Sequence, residues 1–153
     1  MAEPPAAGEP GVSYTAADGR SAEPGSTGTE FAYFDGDDIG APLELALLED
    51  DPGKATRYSN LVSTAMNQLA AELSSHNGVR VLFSGGDDMF ASWPNGAVDP
   101  GEMTKLQVRF SAVCGRTISV GVGATPSEAL GNLRRAKLRG KARTVTASEA
   151  REC

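Results

Sequence analysis

From residue 31 onward, hydrophobic and polar positions alternate between strand-like runs and helix-like stripes. The aromatic run Phe31–Phe34 predicts a short buried strand that ends at Asp35. A short helix over 43–49 follows. From Lys54, apolar residues recur at three- and four-residue intervals, which predicts an amphipathic helix ending near Ser75.

The second half of the chain continues this alternation. Its predicted elements are, in order, strands over 79–83 and 89–93 joined by a tight turn, a helix over 102–113, a strand over 117–122, a helix over 126–139 and a short edge strand over 144–146. The order β-α-β-β-α-β is that of a ferredoxin-like α+β fold. We therefore expect an antiparallel sheet with helices packed on one face.

The first 29 residues have a different composition, rich in Pro, Gly and Ala. They contain four of the nine prolines and five of the 18 glycines, and few large apolar side chains. Such a segment buries too little surface to offset the entropy of ordering it. We expect residues 1–29 to be a disordered tail and residues 30–153 to form one folded domain.

Net charge and cysteine usage exclude several classes of protein. The net charge of -6 argues against nonspecific binding of a nucleic acid template. No apolar run reaches the length of a membrane span, so direct membrane insertion is not expected. The two cysteines, Cys114 and Cys153, have neither disulfide-framework nor metal-ligand spacing, which favours the cytoplasm.

Two acidic clusters follow predicted strands. One is Asp35-Gly36-Asp37-Asp38, and the other ends the turn sequence Gly85-Gly86-Asp87-Asp88. Taken alone, each is also typical of a helix cap or a hairpin turn. In a ferredoxin-like sheet, however, the two strands come together, and carboxylates this close need cations. The cations that such oxygen ligands prefer are Mg²⁺ or Mn²⁺, and two of these ions would assist phosphoryl transfer.

A basic segment near the C-terminus complements these acids. Residues 134–143 hold six bases and no acid. Most of them are explained by a solvated helix face. Lys137 and Lys141, four residues apart, lie on one side of the helix and its exit, where a bound triphosphate would need positive charge.

Four motifs in order resemble a known family. They are Phe34-Asp35-Gly36-Asp37-Asp38-Ile39-Gly40, Phe83-Ser84-Gly85-Gly86-Asp87-Asp88-Met89-Phe90, Ile118-Ser119-Val120-Gly121-Val122-Gly123, and Ala136-Lys137 through Gly140-Lys141. Together they resemble the palm domain of GGDEF diguanylate cyclases and of the polymerase subunit of type III CRISPR complexes. The chain looks most like the minimal CRISPR polymerases, which are small stand-alone palm domains, and the resemblance spans about residues 30–146.

The resemblance implies a catalytic role for three acids. Asp35, Asp87 and Asp88 would be metal ligands, with the Gly36 carbonyl as a backbone ligand. Asp88 would alternatively help to deprotonate the attacking hydroxyl.

The resemblance also implies how a nucleotide would be held. The backbone amides of Asp37, Asp38, Ile39 and Gly40, at a helix start, would cradle the β- and γ-phosphates. Gly85 and Gly86 would let the nucleotide lie against the hairpin, and Lys137 and Lys141 would hold the triphosphate.

The chain departs from diguanylate cyclases at the residues that read guanine. Leu43 stands where they have an Asn, Pro52 where they have an Asp, and Asp88 replaces the Glu of the hairpin motif. A cyclic di-GMP product is therefore not expected. The resemblance to minimal CRISPR polymerases, which are linked to adenine-containing cyclic nucleotides, implies instead the joining of NTPs, with ATP favoured, into a cyclic di- or oligonucleotide that signals in antiphage defence.

A single palm of this size holds one NTP well. We therefore expect a homodimer, and a separate effector protein that responds to the product. Two alternatives stay open: a purine-ring hydrolase similar to the third type of archaeal GTP cyclohydrolase, and a palm that binds nucleotide or metal as a sensor without turnover.

Overall fold

The computed structural model describes residues 28–152, and residues 1–27 of the predicted tail lie outside the described part. The elements are β1 (Thr29–Gly36), α1 (Gly40–Leu48), α2 (Pro52–Ser74), β2 (Arg80–Gly85), β3 (Asp88–Pro94), α3 (Pro100–Cys114), β4 (Ile118–Gly123), α4 (Pro126–Leu138), β5 (Thr144–Val145) and α5 (Ala147–Ala150). All strands and long helices predicted from the sequence are present. β1 begins earlier than predicted, because Thr29, assigned to the tail, pairs with Pro94.

The five strands form one sheet in the order β2-β3-β1-β4-β5. β1 pairs with both β3 and β4, and β2 pairs with β3, all in the antiparallel sense. β5 adds a short parallel strand beside β4. The predicted α+β, ferredoxin-like arrangement is confirmed, and β1, which carries Asp35, occupies its centre.

Side chains just ahead of the long helices define where these helices begin. Asp51, Asp99 and Thr125 each accept a hydrogen bond from a backbone N–H of the first turn, and a proline stands at the start of each helix. Gly115 ends α3 in the left-handed conformation that suits glycine. No helix within residues 28–152 is long and apolar enough to cross a membrane.

The hydrophobic core lies between one face of the sheet and the helices α2 and α3. Alternate residues of β1, Ala32 and Phe34, are fully buried on this face. The other main contributors are Val62, Met66, Leu69 and Leu73 from α2, Met89 and Trp93 from β3, Met103, Leu106 and Phe110 from α3, and Ile118 and Val120 from β4. The predicted packing of helices on one face therefore holds for the two helices of the βαββαβ unit.

α4, which follows that unit, covers the opposite face of β4 and β1. It approaches closely because β4 presents glycine there: a Cβ on Gly121 would lie 2.1 Å from the Ala129 carbonyl oxygen and from the Leu133 nitrogen. A Cβ on Gly123 would lie 2.8 Å from the Ala129 nitrogen. This close contact carries Lys137, near the end of α4, toward the end of β1.

We predict that Gly121→Ala destabilises the fold by roughly 1–3 kcal/mol, because the new methyl group collides with the α4 backbone. Chemical denaturation followed by circular dichroism measures the change. The matched control is Gly131→Ala within α4, where the nearest atom to the new Cβ is 3.4 Å away on the flexible Arg135 side chain. The control should be neutral or more stable, since alanine favours helix. Equal stability of Gly121→Ala and wild type would contradict the steric account.

Candidate active site

The register of the sheet brings the two acidic clusters together at one edge. Asp35 at the end of β1 lies directly opposite Asp88 at the start of β3. The Gly36 N–H donates to the Asp87 carbonyl oxygen over 2.8 Å, which ties the hairpin turn to β1. Three carboxylates from distant parts of the sequence therefore share the same edge, as the strand pattern predicted.

The turn between β2 and β3 is as short as an antiparallel hairpin allows. Gly85 pairs with Asp88, leaving Gly86 and Asp87 as the two central residues. Gly86 has a φ of +60°, which glycine adopts without strain at the first central position. A Cβ at Gly85 or Gly86 would meet no atom of residues 28–152 within 4 Å. The space over the turn is thus free for the predicted nucleotide.

The glycine at position 36 is explained by a neighbouring side chain of the same loop. A Cβ there would lie 2.6 Å and 2.8 Å from the Cγ1 and Cδ1 atoms of Ile39, whose side chain packs over the backbone. The missing side chain at Gly36 therefore makes room for Ile39.

Asp37 is the buried anchor of the acidic loop. Only 2% of it is exposed. Its carboxylate accepts hydrogen bonds from Thr117 Oγ1 at 2.7 Å, Ser119 Oγ at 2.8 Å, the Ala142 N–H at 2.9 Å and Lys137 Nζ at 2.7 Å. Burial alone would raise the Asp37 pKa, but these donors together lower it. Asp37 therefore holds the loop in place as a carboxylate.

Lys137 supplies the positive charge at the centre of the site. Its ammonium group lies 2.9 Å from Asp35 Oδ2 and 2.7 Å from Asp37 Oδ1, and it also donates to the carbonyl oxygens of Asp35 and Gly36 at 3.1 and 3.0 Å. Burial alone would lower the Lys137 pKa, but the two carboxylates raise it. The lysine, predicted to hold a triphosphate, is in this structure bonded to the acids.

The remaining carboxylates are more accessible. Burial raises the pKa of Asp35 above its ordinary value, and the charges of Asp87 and Asp88 act in the same direction, while Lys137 opposes them. Asp88 accepts a hydrogen bond from the Tyr33 hydroxyl at 3.1 Å. Burial and the nearby carboxylates raise the Tyr33 pKa, so this phenol stays protonated and remains a donor.

Lys141 reaches the same loop through a turn of unusual backbone geometry. After Gly140, both Lys141 and Ala142 have positive φ angles, of 65° and 51°. Non-glycine residues rarely adopt this conformation because it is strained. Such strained residues are found most often at functional sites. The turn directs the Lys141 ammonium to the Asp38 carboxylate, whose pKa it lowers, and places the Ala142 N–H on Asp37.

The start of α1 carries backbone N–H groups that no side chain of residues 28–152 caps. The other four helices of residues 28–152 carry a side-chain cap, whereas the residue before α1, Ile39, provides none. Such a helix start favours anions. One of the four predicted phosphate-binding amides is excluded, because the Asp37 N–H donates to the Thr117 carbonyl oxygen at 2.8 Å. Those of Asp38, Ile39 and Gly40 stay a prediction.

The donor atoms at this edge fit a hard divalent ion that arrives with a nucleotide. In the described part of the chain, no three His, Cys, Asp or Glu side chains converge into a ready-made metal cage. Mg²⁺ does not need one, since it is typically held by one or two carboxylates together with substrate phosphates. The four oxygens around the Lys137 ammonium show that a cation is already favoured here. That Asp35, Asp87, Asp88 and the Gly36 carbonyl would bind such an ion stays a prediction.

Comparison with known proteins identifies the family. The minimal CRISPR polymerase domain (mCpol) matches residues 31–147. The chain belongs to this family. The resemblance inferred from the four motifs is therefore confirmed, although no curated protein matches the chain.

Solved structures share the fold. A Csm1-Csm4 cassette in complex with pppApApA superposes with a TM-score of 0.63 at 22% identity, covering 78% of this chain and 21% of the other. Csm1 of T. onnurineus gives 0.61 at 23% identity, with the same coverage. The diguanylate cyclase SiaD of Pseudomonas aeruginosa, in complex with its activator SiaC, gives 0.53 at 16%, covering 79% of this chain and 50% of that protein. This minimal CRISPR polymerase thus corresponds to about a fifth of a Csm1 chain.

Several site residues of this mCpol domain were not predicted from the sequence. Thr117 and Ser119 bind the Asp37 carboxylate, Arg116 donates to the Asp38 carbonyl oxygen at 2.8 Å, and Tyr33 binds Asp88. One signal was available for Ser119, a polar residue in an otherwise apolar strand. No local sequence pattern indicated the contacts of Thr117, Arg116 and Tyr33, since their partners are remote in the sequence.

We predict that Asp37→Asn lowers the free energy of unfolding by about 2–4 kcal/mol near neutral pH, because it removes the negative partner of a half-buried ammonium. The Asp37 pKa is lower in the folded state than its ordinary value of 3.8. Its contribution to stability is therefore present above that value and is lost as the pH falls through the lower, folded pKa. Denaturation with EDTA present, repeated from pH 2 to 7, measures both effects.

The control for this variant is Asp38→Asn, because Asp38 is exposed and pairs with Lys141 at the surface. It should leave stability nearly unchanged, because solvent and salt screen an ion pair at the surface. If both variants lose the same stability, or if Asp37→Asn keeps the acid dependence of wild type, Asp37 is not the anchor of the loop.

Proposed function

We propose that this protein is a divalent-metal-dependent nucleotidyltransferase that joins NTPs into a cyclic di- or oligonucleotide containing adenine. The observation that carries the proposal is the pairing of Asp35 with Asp88 across β1 and β3, with Asp87 tied alongside and two lysines facing the same loop. Membership of the mCpol family and the shared fold with a cyclase and with Csm1 support it.

In the proposed reaction, a ribose hydroxyl of one nucleotide attacks the α-phosphorus of another, and pyrophosphate leaves. Two Mg²⁺ or Mn²⁺ ions would neutralise the attacking and leaving oxygens when bound. Asp35, Asp87 and Asp88 would hold these ions and fix the α-phosphate at the sheet edge. Asp88 would also take the proton of the attacking hydroxyl, and its hydrogen bond from the Tyr33 hydroxyl supports this role by holding the carboxylate in one orientation.

The triphosphate would extend from the acids toward the loop after β1. The N–H groups of Asp38, Ile39 and Gly40 and the exposed ammonium of Lys141 would bind its β- and γ-phosphates. Lys137 would exchange part of its carboxylate contacts for phosphate oxygens as the cations bind. Both lysines are thus paired with acids before substrate arrives, and the carboxylates beyond these pairs carry the negative charge that the cations would neutralise.

A groove between α1 and α2 supports the preference for adenine. It has a volume of about 290 Å³, and its walls include Leu43 and Pro52, which stand where diguanylate cyclases read guanine. The lining residues carry no carboxylate to accept from the N–H groups of guanine: Leu43, Leu47, Pro52, Ala55, Thr56, Ser59 and Asn60. Adenine lacks the N1–H and 2-amino donors that such a carboxylate binds in guanine, which favours ATP over GTP.

Closing a ring requires a second transfer, and one site of this size binds one triphosphate. We therefore extend the proposal to a homodimer, at least transient, in which two palms face each other. The product would act in the cytoplasm on a separate effector protein, as part of antiphage signalling.

The deciding experiment is mass spectrometry of the products from ATP, GTP, CTP and UTP, singly and mixed, with Mg²⁺ or Mn²⁺. We predict a cyclic phosphodiester and pyrophosphate, reduced at least 100-fold in an Asp87→Ala, Asp88→Ala double variant. Asp50→Asn is the control, since Asp50 is exposed and its φ of +56° suits Asn. Ring-opened purine would instead show a hydrolase, and unchanged nucleotides that still bind would show a sensor.

A second prediction separates the two lysines. Lys141→Ala should raise the KM for ATP roughly tenfold and leave the folded state nearly as stable, because its pair with Asp38 is exposed. Lys137→Ala should lower thermal stability as well as activity, because four oxygens lose their common donor. Steady-state kinetics together with thermal denaturation of both variants checks the difference. A KM unchanged in Lys141→Ala would remove Lys141 from the triphosphate site.

A further inference from the structure

The face of the sheet opposite the core carries a row of aromatic rings. Tyr33 of β1 pairs with Phe90 of β3, and Phe90 pairs with Phe83 of β2, so the three side chains lie side by side on one face. Phe31, two residues before Tyr33, joins them by packing on Phe90. Among residues 28–152, α4 covers this face only at β4 and β1, so the row is open toward β2.

The rings form a continuous stack that ends at Phe83. Phe31 and Phe90 are nearly parallel, with centroids 6.0 Å apart and planes at 11°. Phe90 and Phe83 follow with centroids 5.6 Å apart and planes at 24°. Tyr33 closes the group, 5.8 Å from Phe90 and edge-on to Phe83. Phe83 is 49% exposed, although it is a large apolar residue in a strand.

This aromatic row is continuous with the acidic edge. Asp35 and Asp88 form the next cross-strand pair on the same face, two residues after Tyr33 on β1 and two residues before Phe90 on β3. Two residues of a strand span about 7 Å, comparable to the distance that a ribose bridges between its base and a phosphate. The Tyr33 hydroxyl, bonded to Asp88, connects the row and the acids directly.

The reaction joins two nucleotides, a donor that loses pyrophosphate and an acceptor that supplies the hydroxyl. The positions of the positive charges around the acids indicate which of the two would bind at the aromatic row. Lys137 approaches from α4 and Lys141 from the turn after it, on the β4 side of the acids, and the start of α1 follows the same loop. The triphosphate of the donor nucleotide therefore belongs on that side. In an in-line displacement, the attacking hydroxyl enters opposite the leaving pyrophosphate. That direction is the side of β3 and β2, where the rings are.

We propose that the row Tyr33, Phe90 and Phe83 binds the base of the acceptor nucleotide by stacking. This inference rests on the proposed function and assigns its second substrate subsite. The acceptor hydroxyl oxygen forms a bond to the α-phosphorus of the donor while the bond from that phosphorus to pyrophosphate breaks. The hydroxyl proton passes to Asp88 and from there to solvent. Stacking on aromatic side chains accepts any base but holds the larger purines best.

The experiment uses reactants that each fit one subsite only. 2′,3′-Dideoxy-ATP has no acceptor hydroxyl and is only a donor, whereas adenosine has no triphosphate and is only an acceptor. Formation of the dinucleoside monophosphate is followed while each is varied in turn. Phe83→Ala should raise the KM for adenosine at least about fivefold and change the KM for the donor less than twofold. Phe83→Trp should restore the adenosine KM.

The matched control is Leu82→Ala, because Leu82 is the neighbouring residue on β2, is similarly exposed at 46% and is outside the ring stack. Both KM values should stay unchanged in it. With uridine in place of adenosine, the purine advantage of wild type should shrink in Phe83→Ala. An unchanged adenosine KM, or an equal rise for donor and acceptor, would overturn the proposal. So would a Phe83→Ala effect confined to self-association in sedimentation, which would show that the row joins protomers.

An NMR titration of the full chain with adenosine keeps this inference separable from the proposed function. Stacking should shift the ring protons of Phe83 and Phe90, and Phe83→Ala should abolish the shifts at Phe90. Shifts without any phosphodiester product would refute the nucleotidyl transfer and leave a nucleobase site. Product formation without shifts, at adenosine concentrations above its KM, would refute the row and leave the transfer standing.

Discussion

The ion pair between Asp37 and Lys137 joins residues that are 100 positions apart, and the arrangement of the whole site depends on it. Asp37 also receives donors from Thr117, Ser119 and the Ala142 backbone, so one carboxylate fastens the loop after β1 to β4 and to the turn after α4. A buried charge with fewer donors would be strongly destabilising. The same ammonium then reaches Asp35, so the structural anchor and the candidate metal ligands share one lysine.

Much of this architecture could be predicted from the sequence, because strands and helices are encoded in local periodicity. The acids of the site were found because Asp35, Asp87 and Asp88 each stand where a strand ends or a hairpin turns, and the order of elements brings those strands together. α4 was not assigned to its own face of the sheet. The sequence evidence for the position of α4 was Gly121 and Gly123. A glycine in a strand does not, however, reveal which helix packs against it.

The network behind the acids was less predictable. Asp37 was taken for a phosphate-binding position, whereas its carboxylate is buried and its N–H is used by the Thr117 carbonyl. The partners that decide this lie 80 to 105 residues away, beyond any local pattern. Gly36 illustrates the same limit: the glycine is explained by Ile39, three residues on, but only because the loop folds back. Residue type indicates chemistry, while tertiary contacts determine which atoms remain available for it.

The alternation along β1 places Ala32 and Phe34 in the core, and Tyr33 and Asp35 on the opposite face. One inserted or deleted residue within the strand would exchange these two sets, burying a carboxylate and exposing a phenylalanine. Substitutions in β1 therefore affect single contacts, whereas a change in its length would reverse both faces at once. The spacing from Ala32 to Asp35 therefore sets the core face and the site face of β1 together.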